Sequence, residues 1–148
     1  MPTTPRLAEP SCIPSRAEGF CLAPDQIPQF WPHIAGFIEK SCRRSGLGNF
    51  LTIAEAIHAG RMLAWIAWDG TKIIAVAVTQ VTICNGAKIG TIVACGGSGY
   101  VSFGHIRDAM EDHFRAEGCS ASRIIGRKGW ARRLTGYRIK ALVLEKVL

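Results

Sequence analysis

The sequence's clearest chemical signal is Gly96-Gly97-Ser98-Gly99, directly behind the apolar run 88–95 (KIGTIVAC). A glycine-rich turn that opens a helix leaves backbone N–H groups free at the positive end of the dipole, a place that can hold an anion. Glycines also serve strand-to-helix turns for steric reasons alone, so the turn is a weak signal by itself. Cys95 ends the apolar run and is a candidate nucleophile, but no spacing puts a histidine beside it, and a packed thiol is the commoner state. Glu55, His58 and His105 are available as general bases, and a water chain could serve instead; no position singles one out. A lone helical histidine such as His58 is more often a surface or packed side chain. Between Cys119 and Lys140 stand Arg123, Arg127, Lys128, Arg132, Arg133, Arg138 and Lys140, with no acid among them and Trp130 in their midst. Such a segment fits ligand phosphates, nucleic acid or an acidic neighbouring subunit, and equally a solvated helix face with Trp130 packed inward.

These residues need elements to position them. The run 88–95 is β-branched and almost continuously apolar, the pattern of a strand covered on both faces. After the turn, Phe103, Ile106, Met110 and Phe114 recur at helical spacing, opposite Arg107, Asp108, Glu111, Asp112 and Arg115, which predicts a helix over 100–117. Gly118 suits its left-handed stop. A short strand over 123–126 then returns parallel to 88–95 by the right-handed crossover rule. Upstream, the strand-like runs 62–68, 72–84 and 88–95 are separated by Asp69-Gly70 and Asn85-Gly86, dipeptides suited to tight hairpins. Before them lie a short strand over 19–23 and a helix from Ile27, in which Pro28 and Pro32 are tolerable only near the first turn. A second helix carries Thr52-Ile53-Ala54-Glu55, the spacing of a capping box, and closes at Gly60. A basic helical turn over 127–135 and a closing strand over 137–147 complete the chain. The fold class is α/β: a mixed sheet in which an antiparallel meander leads into a βαβ unit.

A chain of 148 residues, 48% hydrophobic and 20% charged, can bury one core over residues 19–148. No apolar run reaches the roughly 18 residues of a membrane span, and the start lacks a signal-peptide pattern, so the expectation is a soluble, unsecreted protein. Cys12, Cys21, Cys42, Cys84, Cys95 and Cys119 form no C-x-x-C pair, which fits reduced, mostly buried thiols and no metal. Residues 1–18 hold four of the seven prolines and no apolar periodicity, which reads as an extended arm, either a loose terminus or a segment ordered by a partner. The net charge of +7 suits an anionic partner, a phosphate-bearing cofactor or nucleic acid, and equally favours solubility.

The order helix, helix, three antiparallel strands, glycine turn, helix, parallel strand, short helix and final strand resembles the GNAT (GCN5-related N-acetyltransferase) superfamily. The closing GWARRLTGYRIKALVLEKV, with its Gly136-Tyr137 pair, is similar to that family's last motif. The CGG turn combined with IIGRKGW looks like small GNAT-like proteins of tailed bacteriophages. The resemblance implies that the strands at 88–95 and 123–126 splay apart, with the pantetheine arm of acetyl-CoA in the gap. Backbone groups of Val93, Ala94 and Cys95 would hold the acyl end and polarise its carbonyl, and Gly96, Gly97, Ser98 and Gly99 would wrap the pyrophosphate. The sequence departs from the family at three places. No Arg or Gln heads the turn, Arg132 or Arg133 stands where the family often has a proton-donating tyrosine, and Gly126 or Arg127 replaces a frequent Asn. Two functions follow by resemblance. One is a noncatalytic phage protein of the virion or its assembly, in the particle or the host cytoplasm, contacting phage structural proteins or nucleic acid through residues 123–140. The other is an acetyl-CoA-dependent N-acetyltransferase acting on a small-molecule or protein amine.

Overall fold

The computed structural model describes residues 18–97, 100–126 and 129–148. Its core is a five-stranded sheet of order β1-β2-β3-β4-β5, formed by β1 (Glu18–Cys21), β2 (Leu63–Trp68), β3 (Ile73–Cys84), β4 (Ala87–Gly97) and β5 (Ala121–Ile124). The first four strands pair antiparallel, and β5 pairs parallel to β4 from Ile89 opposite Ala121 to Ile92 opposite Ile124. The helices are α1 (Ile27–Ser45), α2 (Phe50–His58), α3 (Tyr100–Ala116) and the single turn α4 (Trp130–Arg133). Among the described residues, no helix is long and apolar enough to cross a membrane.

Strand alternation divides the interior into two layers. Ala64, Ile66, Val76 and Val78 face α1 and α2, where Ile27, Phe30, Ile34, Ile38, Ile53 and Ile57 cover them. Their neighbours Trp65, Ala67, Ala75 and Ala77 turn to the other face, under Phe103, Ile106, Met110 and Phe114 of α3. The small residues on this second face let α3 lie close. At Gly90 a Cβ would fall within the Phe114 ring, so only glycine fits there. Trp65 Nε1 donates to Thr79 Oγ1 at 2.9 Å, satisfying the one buried polar side chain among the described residues.

Several local expectations are corrected. The cap of α2 is Asn49, whose Oδ1 accepts from Thr52 N at 3.0 Å, so Thr52 is a helical residue and no capping box forms. Asn49 wins because the helix starts at Phe50, whose half-buried ring packs on the first core layer. Pro32 lies inside α1, beyond the first turn. Both it and Pro28, whose carbonyl would have accepted its missing N–H, are exposed, so water can serve that carbonyl. Asn85-Gly86 does make a tight hairpin, both residues at positive φ. Asp69-Gly70 instead belongs to a four-residue loop, in which Asp69 Oδ1 accepts from Thr71 N, Thr71 Oγ1 and Lys72 N. β5 runs over Ala121–Ile124, two residues earlier than expected. The closing strand over 137–147 is not formed: residues 137–148 have no regular structure, and 138–148 are exposed. Strand propensity is realised only against a neighbouring strand, and here the segment has none. Of the cysteines expected to be mostly buried, Cys42 is buried, Cys95 and Cys119 are intermediate, and Cys21 and Cys84 are exposed. β1 begins at Glu18, and the rest of the proposed arm lies outside the described residues.

Candidate acyl slot and basic pocket

The site is built where β4 outruns β5. The last bond between them is Ile125 N to Ile92 O, at 3.1 Å; beyond it β4 continues to Gly97, paired only with β3. The two strands therefore part, as the resemblance implies. At the parting point the register slips, with Val78 opposite Ala94 and Thr79 opposite Ile92, which leaves Val93 as the extra residue of a β-bulge. The bulge breaks the alternation: Ile92 packs under α3, Val93 and Ala94 both turn to the α1 layer, and Cys95 returns to the α3 layer. Bulges re-aim side chains and backbone in this way beside functional sites.

What fills the gap comes from α1. Ser41 Oγ accepts the hydrogen bond of Cys95 N at 3.0 Å. Ser41 and Arg44 of α1, Val93 and Cys95 of β4, Ile125, and Trp130 of α4 line a cleft of about 30 Å³. That is room for a water or two, against the roughly 300 Å³ or more of a typical small-molecule site. Trp130 is packed inward, its ring 4.8 Å from that of Phe103 and close against Gly126.

On the other side of Ser41 lies a larger hollow of about 330 Å³, with Phe37, Ile73 and Ile74 as apolar lining and Lys40, Arg44 and Lys72 as cations. Gly96 and Gly97 belong to its wall. Both glycines are fixed by packing within the chain: a Cβ at 96 would stand 2.7 Å from Phe37 O, and one at 97 would stand 2.5 Å from Ile74 O. Their openness to a ligand, expected from the sequence, is thus partly used by α1 and β3. Ser98 and Gly99 lie outside the described residues.

Electrostatics sorts the remaining candidates. Burial pushes the Cys95 thiol up to about 12, so it stays protonated at neutral pH. Tyr137 is also pushed up to about 12, chiefly by burial, with Glu111 adding to the shift. Its hydroxyl donates to Glu111 Oε2 at 2.7 Å and lies 2.7 Å from Ser122 Oγ, so its proton is directed to α3 rather than into the gap. His58 ends α2, with Nδ1 2.9 Å from Ala54 O and its ring edge-on to Trp31. Glu55 is exposed on α2, and the side chain of His105 lies outside the described residues. Arg132, Arg133, Arg138 and Lys140 are exposed, Arg123 is half-buried in β5, and Arg127 and Lys128 lie outside the described residues.

Sequence reasoning missed Ser41 and the cationic wall. The signal was present: Phe37, Lys40, Ser41 and Arg44 stand at i, i+3, i+4 and i+7, one stripe of a helix.

No protein-family model and no curated protein matches the sequence. Solved structures do match in shape. An aminoglycoside acetyltransferase from an uncultured soil metagenomic sample superposes with a TM-score of 0.63, at 11% identity over 89% of this chain and 96% of that one. A probable acetyltransferase gives 0.65, at 8% identity over 88% and 97%. A GNAT family acetyltransferase of Staphylococcus aureus gives 0.60, at 12% identity over 90% and 99%. The fold is that of the GNAT acetyltransferases. Within this GNAT fold, the bulged β4 and its divergence from β5 lie where the resemblance puts the acyl end of acetyl-CoA. In this chain that backbone donor is already bonded to Ser41.

Proposed function

We propose that this chain is a GNAT-fold binding protein that does not turn over acetyl-CoA and that serves in a bacteriophage particle or its assembly. The observation that carries the noncatalytic part is the bond from Cys95 N to Ser41 Oγ across a cleft of about 30 Å³. A thioester carbonyl entering there would have to displace the serine and widen the cleft before any N–H could polarise it. Arg132 or Arg133 stands at the place of the family's proton-donating tyrosine, and Tyr137 gives its hydrogen bond to Glu111. The phage part rests on the CGG and IIGRKGW resemblance, and the exposed cations of the 123–140 segment supply a surface for phage structural proteins or nucleic acid.

One observation favours a second reading, an N-acetyltransferase acting on a small-molecule or protein amine. The hollow bounded by Lys40, Arg44, Lys72, Gly96 and Gly97 is large enough and basic enough for phosphate groups, and the neighbours in shape named above are acetyltransferases. Calorimetry with acetyl-CoA separates the two. The expected result is no saturable heat for the native chain; micromolar affinity that falls when Lys40 and Arg44 are both replaced by alanine, together with release of free CoA thiol in the presence of an amine, would establish the enzyme reading. For the virion role, mass spectrometry of purified particles of an encoding phage should find the chain at a fixed ratio to the capsid protein, and its absence from particles and assembly intermediates would refute that role.

A further inference from the structure

We propose that the hollow between α1 and the start of β3 binds a small phosphate monoester with an apolar body, at a site separate from the acyl slot across Ser41. Charge is the first reason. Lys40 and Arg44 of α1 and Lys72 of the loop before β3 stand around the hollow, and among the described residues no carboxylate forms an ion pair with any of the three. The acid of the same loop, Asp69, spends its Oδ1 on Thr71 and on the backbone N–H of Lys72. Like charges gathered around one hollow repel each other, and an anion seated among them replaces that repulsion with attraction. A protonated amine would meet the opposite.

Ser41 supplies a second, independent reason. Its Oγ accepts the hydrogen bond of Cys95 N, while its own O–H has no acceptor among the described residues. The serine lines the hollow, so it offers a ligand oxygen a fourth donor. The number of donors selects the anion. A monocarboxylate is matched by the fork of Arg44 alone, whereas a phosphate monoester brings roughly two charges and three acceptor oxygens, enough for two or three cations and the hydroxyl together. The remaining lining, Phe37, Ile73 and Ile74, is apolar and asks for a body behind the phosphate. At about 330 Å³ the hollow lies at the small end of ligand sites, which run from roughly 300 Å³ upward. A longer ligand would have to pass Ser41 into a cleft of about 30 Å³. This is the same hollow that the acetyltransferase reading gives to acetyl-CoA, and competition tells the two apart.

Calorimetry and heteronuclear NMR titration of the full chain with phenyl phosphate and with adenosine monophosphate test the proposal. The expected result is saturable binding of at least one of them, with shifts at Phe37, Ser41, Ile74 and Gly96. Inorganic phosphate, which lacks the body, should bind about tenfold more weakly, and benzylamine, with the opposite charge, should not bind. R44Q and K72Q should each weaken the ester by about tenfold or more, the loss of one charge-assisted bond. K140Q, an equal loss of charge on the exposed C-terminal segment, should leave it unchanged. Far-ultraviolet dichroism checks each fold, and K72Q keeps the test decisive if R44Q disturbs α1. No saturable binding of either ester would overturn the proposal, as would inorganic phosphate binding equally well, equal losses in all three variants, or shifts confined to Val93 and Ile125. Displacement of the ester by a lower concentration of acetyl-CoA would overturn it too, because the hollow would then hold the acyl donor's phosphates. Acetyl-CoA that binds without displacing the ester would support this site and refute only the noncatalytic reading's prediction.

Discussion

At the scale of single residues, Tyr137 shows how one hydrogen bond can remove a group from chemistry and put it into stability. Its hydroxyl is held between Ser122 and Glu111, and its pKa stands at about 12, above the ordinary value of 10.0. A raised folded-state value means that the unfolded chain loses this proton first as pH rises. The contribution of Tyr137 is therefore complete below pH 10 and declines between 10 and 12. Denaturant melts across that window should show the native chain losing more stability than Y137F, which cannot ionise there. Parallel losses in the two proteins would show that Tyr137 has no shifted pKa. The sequence shows Tyr137 as half of the Gly136-Tyr137 pair but not its partner, because Glu111 is 26 positions away and meets it only through the packing of α3 on the sheet.

At the scale of elements, the cap of α2 and the end of β4 make opposite demands on the sequence. Asn49 supplies a side-chain oxygen to Thr52 N, and its loss should cost about 0.5–2 kcal/mol, as N-cap replacements do. Asn49→Ala should thus lower the urea midpoint clearly more than Thr52→Ala, since Thr52 offers the helix only its backbone; the reverse order would restore the capping box. At the end of β4 the glycine is required by its neighbours. A methyl group at 97 would meet both Ile74 O and Ala75 Cβ at 2.5 Å. Gly97→Ala should cost about 1–3 kcal/mol, in the range of overpacked sites, whether or not acetyl-CoA is present. A variant of native stability that merely lost affinity for acetyl-CoA would instead make the glycine a ligand-facing residue.

At the scale of the molecule, the buried residues described on the two sides of the sheet come from Leu22 onward. The first core layer is closed by residues from Leu22 onward, and the second by α3 and Leu134. Deleting residues 1–17 should therefore leave the thermal midpoint nearly unchanged, as scanning calorimetry can check. A large fall would make the arm part of the core. The sheet and its helices are held by apolar packing, and the bond from Cys95 N to Ser41 Oγ ties α1 to β4 where β4 runs on past β5.

The sequence by itself determined the α/β class, the meander into a parallel crossover and the helix that crosses it. Each depends on local periodicity, on a dipeptide such as Asn85-Gly86 or on the handedness of connection, all of which neighbouring residues carry. Tertiary structure alone decided that Ser41 Oγ accepts from Cys95 N, that Lys40, Arg44 and Lys72 share a hollow with Gly96 and Gly97, and that Trp130 packs on Phe103. These are meetings between distant segments; the Ser41–Cys95 bond spans 54 positions, and no local pattern encodes such a distance. The closing segment marks the boundary between the two kinds of knowledge. Its apolar, β-branched content predicts a strand over 137–147, but a strand exists only where an edge receives it, and among the described residues the segment pairs with none.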